Sequence, residues 1–218
     1  MIPANRWWTV LQNYNQTVFP AQIVFYLMII GVLITFFRGN KEIANRAIKG
    51  FFVLAFGWIG VVFFLILGQK LPAHNAQAFL FLSLSVLFAL DLFTNITRFR
   101  VPPTRPRQTL TLIGFGLVLA YPLVGILLKR PPSRWIIPGA FPCPTTALAL
   151  VFMATTFPSK RRWLYLVILS LLLIWAIPVP IMIQIPMFGA YEDLIMLSTG
   201  IYGLVVLIIY GVKISMKK

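Results

Sequence analysis

Seven long apolar stretches, joined by short connections, decide what this chain can fold into. They cover 18–37, 48–67, 76–93, 110–128, 143–157, 163–181 and 194–210. Most approach the ~20 residues that carry a helix across ~30 Å of hydrocarbon. With 60% hydrophobic and 11% charged residues and a mean hydropathy of +0.90, the chain lies far from soluble averages. The expectation is an all-α fold, a polytopic membrane bundle of seven transmembrane helices forming a single domain over 1–218.

The connections predict an orientation. Arg38, Lys41, Arg46 and Lys49 lie around the first connection, and Arg98, Arg100, Arg105 and Arg107 follow the third stretch. Lys160, Arg161 and Arg162 follow the fifth, and Lys213, Lys217 and Lys218 follow the seventh. Those fourteen fall on one side, against five on the other: Arg6, Lys70, Lys129, Arg130 and Arg134. Basic residues accumulate on the cytoplasmic side, so the N-terminus is expected outside and the C-terminus inside.

A net charge of +15 would suggest nucleic acid in a soluble protein. Here the cations flank apolar stretches, so the expected partners are anionic headgroups of the cytoplasmic leaflet, at ~1 kcal/mol per basic residue. Nucleic acid is not expected as a partner. The N-terminus lacks the basic start and small-residue cleavage site of a signal peptide. Instead Trp7, Trp8, Leu11 and Tyr14 recur at helical spacing, which predicts a short interfacial helix over 3–16.

The single cysteine, Cys143, and single histidine, His74, exclude an intramolecular disulfide and a bis-histidine haem, and no zinc-type cage is expected. The last stretch carries no lysine for a retinal Schiff base, since Lys213 falls beyond it. The third ends in Asp91-Leu92-Phe93 rather than the Asp-Arg-Tyr of G-protein-coupled receptors. No phosphate-binding loop, Gly-x-Ser-x-Gly or His-Glu-x-x-His motif occurs. No catalytic residue, metal or cofactor is assigned.

Small residues at Gly116 and Ala120, and at Thr199 and Gly203, predict close helix packing. Prolines predict irregularity. Ile177-Pro178-Val179-Pro180 should bend the sixth span or end it early. The fifth span has only about thirteen residues after Pro144 and reads as a half-helix lining a cavity.

The densest motif runs from Pro138 through Gly139, Phe141, Pro142, Cys143 and Pro144 to Thr145 and Thr146. Proline suits a first helical turn and threonine can cap its amides. An anion site or a reactive thiol at that helix start is one reading; a stiff structural loop with a buried cysteine is the other. Glu192 and Asp193 open the last span, where carboxylates complement the helix dipole or form a cation or proton site. Asp91 is the one carboxylate inside a stretch, expected near the cytoplasmic boundary and paired with Arg98 or Arg100, with a proton relay as the alternative. His74 opens the third span.

Val18-Phe19-Pro20-Ala21-Gln22, Phe141-Pro142-Cys143-Pro144-Thr145-Thr146 and Tyr191-Glu192-Asp193-Leu194 together resemble an uncharacterised, mainly bacterial family of multi-pass inner-membrane proteins of unknown function. The resemblance spans nearly the whole chain, with the glycine before the cysteine motif displaced. It implies a membrane protein and supplies no reaction.

The leading expectation is a small transporter or ligand-binding protein of a prokaryotic plasma membrane. Its outward cleft would draw on Gln22, Trp135, Cys143, Thr145, Thr146, Glu192 and Asp193. The alternative is a non-catalytic subunit or scaffold packed against other membrane proteins. An enzyme using Cys143 or the carboxylates is a distant third.

Overall fold

The computed structural model describes residues 4–156 and 163–215, with side chains for 6–156 and 163–209. Among these the fold is all-helical, and its only strand-like pairing is an isolated bridge between Phe99 and Thr156. The helices are α1 (Ala4–Arg38), α2 (Lys41–Trp58), α3 (His74–Thr94), α4 (Arg105–Leu119), α5 (Tyr121–Leu127), α6 (Pro142–Thr155), α7 (Trp163–Ala176), α8 (Ile185–Phe188) and α9 (Leu194–Ser215). α2 runs on as π-helical Ile59–Leu67, and π-helical Pro180–Gln184 leads into α8.

Among the described residues five helical segments are long and apolar enough to cross a membrane: Arg6–Arg38, Lys41–Leu67, His74–Thr94, Trp163–Phe188 and Tyr191–Ile209. The bent pair α4–α5 makes a sixth if taken as one span. The remaining expected span is α6, whose 14 residues reach only about 21 Å at the helical rise. The expected end of that span at 157, with Lys160, Arg161, Arg162, Lys217 and Lys218, lies outside the described residues.

α6 is apolar on every side, and such a helix belongs in the middle of a bundle. All of its residues are buried, with α2, α4, α7 and α9 packed around it. Phe152 meets Phe36, Phe52, Phe99 and Phe115 at centroid distances of 4.7–5.9 Å, the spacing that aromatic pairs favour. Close approach is set by Gly114, where a Cβ would come within 2.9 Å of Val151, and by Gly203, 3.2 Å from Leu150. Gly116, expected in such a contact, faces open space instead.

Three elements depart from the sequence expectation. The segment 3–16 is not a separate interfacial helix; from Ala4 it is the start of α1, continuous through Pro20. Its aromatic face meets protein rather than headgroups: Trp7 stacks on Phe188 at 4.9 Å, and Tyr14 sits edge-on between Phe63 and Phe141. The fourth span bends by 55° at Ala120. Pro122 has no amide and its ring crowds the carbonyl of Val118, while the Tyr26 hydroxyl donates to Leu119 O at 2.9 Å. The sixth span loses regular α-geometry at Ala176, yet the π-helical turn after Pro178 carries it to Phe188, beyond the expected end at 181.

The loop before α6 is threaded inside the bundle. Irregular backbone survives there only where protein covers it, and Ile136, Ala140 and Phe141 are buried. Gly139 has φ +88°, and a Cβ there would lie 2.8 Å from Phe25 Cβ. Gly139→Ala is therefore expected to cost about 1–3 kcal/mol, combining left-handed strain with overpacking. Thermal unfolding in detergent checks this; an unchanged midpoint would show that the loop tolerates a side chain.

Candidate functional site

The densest buried polar cluster forms where α6 and α9 begin. A turn at Tyr191–Asp193 precedes α9 and places two carboxylates against the bundle, each 1% exposed. A bare buried carboxylate is costly, so each needs partners. Glu192 has Arg130, which follows α5: Nε lies 2.7 Å from Oε1, and Nη2 donates to Oε2 at 3.1 Å and to Gly189 O at 2.7 Å. The same guanidinium lies over the Trp8 ring at 3.9 Å, and Trp8 Nε1 donates to Phe188 O. Arg130 thereby ties the start of α1, the end of α8 and the turn before α9.

Asp193 points inward. The Tyr121 hydroxyl donates to its Oδ1 at 3.3 Å, and the Cys143 thiol faces its carboxylate and the Trp175 indole. Asp193 Oδ2 and Trp175 Nε1 make no conventional hydrogen bond. Cys143 is free and buried at the second position of α6. Glu192, Asp193 and Cys143 thus belong to one buried cluster.

The other candidates lie elsewhere. Gln22 Nε2 donates to Asn15 Oδ1, and Asn15 Nδ2 donates to Ser133 O and Trp135 O, both at 2.9 Å. This chain staples α1 to the loop before α6. Gln22 and Trp135 share a cavity of about 380 Å³ with Phe19 and Ile137. Thr145 does not cap the α6 amides; its Oγ1 accepts from Gly139 N and donates to Phe141 O, and Phe141 is the uncapped N-cap. Thr146 Oγ1 is buried without a hydrogen-bond partner. Glu192, Asp193 and Cys143 thus share one buried ionic cluster, Gln22 and Trp135 line a cavity, and Thr145 bonds to Gly139 and Phe141.

Asp91 lies at the opposite end and is fully buried. Its partner is Lys49 rather than Arg98 or Arg100: Nζ sits 3.2 Å from Oδ2 and also donates to Asp91 O and Asn95 Oδ1. Thr97 adds its backbone N–H to Oδ1 and its hydroxyl to Oδ2. Lys49, counted above among the loop cations, is 1% exposed. Arg98 and Arg100 are not partners of Asp91: beyond the left-handed Asn95 that ends α3, both are exposed.

Sequence reasoning missed Lys49, Tyr121, Arg130 and Trp175. Two signals were present: Lys49 sits inside an apolar stretch, and Arg130 lies on the otherwise basic-poor side. No group of three or more His, Cys, Asp or Glu able to hold a metal occurs among the described residues. His74 Nδ1 lies 3.1 Å from Leu71 O, in the turn that starts α3.

An all-helical bundle with several segments of crossing length, an apolar exterior that includes Leu27, Phe79 and Met182, and ion pairs buried at both ends is compatible with a multi-pass membrane protein. The chain belongs to the family of unknown function DUF6064, whose model matches residues 4–218. No curated protein and no solved structure gave a match.

Proposed function

We propose that this is an integral protein of a prokaryotic plasma membrane with seven spans, α6 included, its N-terminus outside and its C-terminus cytoplasmic. Its role is non-catalytic, as a subunit or scaffold of a membrane assembly, with anionic headgroups of the cytoplasmic leaflet against its basic connections. The enclosure of the polar cluster carries this reading. Glu192, Asp193 and Cys143 are buried, and Gln22 and Thr145 are held by local staples to Asn15, Gly139 and Phe141 rather than converging with Glu192 on one open path. A transporter needs such a path through the membrane. The reading as a ligand-binding protein keeps one observation in its favour, the cavity shared by Gln22 and Trp135.

Cys143 is the only cysteine, so thiol labelling reads one position. In intact cells an impermeant maleimide is expected to leave it unmodified, with reaction only after denaturation in SDS. Labelling of the unsubstituted chain while folded would reveal an opening path and replace the scaffold by transport. On a Cys143→Ser background, Asn40→Cys and Arg105→Cys should be shielded and Asn75→Cys should react. The reverse pattern overturns the orientation.

A further inference from the structure

Burial alternates along residues 97–100. Thr97 and Phe99 turn inward, 1% and 2% exposed, Thr97 to Asp91 and Phe99 to Phe152. Arg98 and Arg100 therefore emerge together on the other face, both exposed. Asn45 of α2 fixes this segment: its Oδ1 accepts from Phe99 N at 2.7 Å, and its Nδ2 donates to Phe99 O and Lys41 O. Two buried clamps, at Asn45 and Asp91, thus hold the backbone from which both arginines project.

The arginines open onto a cavity of about 320 Å³ lined by Lys41, Glu42, Asn45, Asn95, Arg98 and Arg100. Every lining residue is polar. Three cations face one carboxylate, and Arg46 takes that carboxylate at 2.6 Å. Among the described residues Lys41, Arg98 and Arg100 have no ion pair, while Lys49 nearby spends its charge on Asp91. Asn95 accepts from Lys49 through Oδ1, which leaves its Nδ2 to donate. The cavity also sits at the edge of the apolar exterior. Leu90 and Phe93 of α3 are exposed, and the chain turns polar at Thr94 and Asn95.

We propose that this cavity binds a phosphate group. Two guanidinium forks on one clamped segment, with an ammonium beside them, match a tetrahedral anion with several acceptor oxygens better than a planar carboxylate. The volume leaves room for the group that carries the phosphate. The site itself does not depend on the membrane reading above; only the source does. In a bilayer the phosphate belongs to an anionic phospholipid whose headgroup lies at this height, and otherwise it is free in solution.

The test uses the full chain purified in neutral detergent, with thermal unfolding and native mass spectrometry as readouts. One arm adds phosphatidylglycerol or, for comparison, phosphatidylcholine; the other adds inorganic phosphate against chloride at equal ionic strength. Phosphatidylglycerol is expected to raise the unfolding temperature and one molecule to stay bound. Arg98→Gln with Arg100→Gln should weaken this about tenfold or more, the loss of charge-assisted hydrogen bonds. Lys41→Gln should weaken it less, and it stands in should the double variant fail to fold. Lys70→Gln with Lys129→Gln removes equal charge elsewhere and should change nothing. Stabilisation by inorganic phosphate alone, lost in the double variant, also supports the site and makes the source soluble. Equal responses of native chain and variants in both arms overturn it. Failure here leaves the labelling of Cys143 and the reporter positions untouched, so it is distinguishable from failure of the membrane reading.

Discussion

Asp91→Asn is expected to cost about 3–5 kcal/mol, because it strands a lysine charge in a site with no other anion. Lys49 is 1% exposed, and its remaining partners are a carbonyl and an amide oxygen. Lys49→Met should cost a similar amount by the converse route, leaving a carboxylate held by Thr97 alone. The double variant Lys49→Met/Asp91→Asn carries no buried charge and keeps an acceptor for Thr97 N–H. It is expected to recover most of the loss, since a buried pair adds little over a neutral replacement while its single breakage is severe. The yield of monodisperse protein after detergent extraction, with its unfolding temperature, reads the effect. A buried lysine partner fits a structural role for Asp91 better than a proton relay. An Asp91→Asn protein that folds as well as the native chain would show that the pair does not hold this end.

The helical class was legible because it depends only on apolar length. Trp7, Trp8, Leu11 and Tyr14 announced a buried stripe by their spacing, but spacing does not say whether lipid or protein covers it. Here α8 and the loop before α6 do. The bend at Ala120 was signalled by Pro122, which sits in the middle of an apolar run and was passed over there. Among the site residues, Cys143, Glu192 and Asp193 were expected at one end of the bundle and lie together. Gln22 and Thr145 were expected with them, and the structure gives these two other partners. Their amide and hydroxyl are consumed by local staples to Asn15, Gly139 and Phe141. The partners Lys49 and Arg130 stayed hidden because a charge count assigns every cation to a loop. Burial of a cation depends on which carboxylate the tertiary fold brings within reach, and pairs 42 and 62 residues apart leave no local pattern.

Arg130→Ala is the second substitution expected to be severe, at about 3–5 kcal/mol, because Glu192, 1% exposed, would lose its counter-charge and have to stay ionised in an apolar site or take up a proton. The loss reaches beyond the pair. Gly189 O loses its donor and Trp8 loses the cation over its ring, so the start of α1, α8 and the turn before α9 come apart together. Arg130→Lys keeps the charge but not the fork, and one ammonium cannot repeat the geometry toward Glu192, Gly189 and Trp8. It should fall between the native chain and Arg130→Ala. Glu192→Gln should cost less than Arg130→Ala, since Arg130 is 14% exposed and can draw on water. Salt should change these differences little, because the pair is screened from solvent ions. The staple also lies within electrostatic reach of Asp193, which faces the Cys143 thiol. Loosening it should therefore make that thiol react with maleimide in folded protein, in proportion to the fall in unfolding temperature across the three variants. Loss of stability with Cys143 still protected would mean that Arg130 holds the turn without sealing the cluster. An Arg130→Ala protein with both properties unchanged would remove the pair from the account of this end of the bundle.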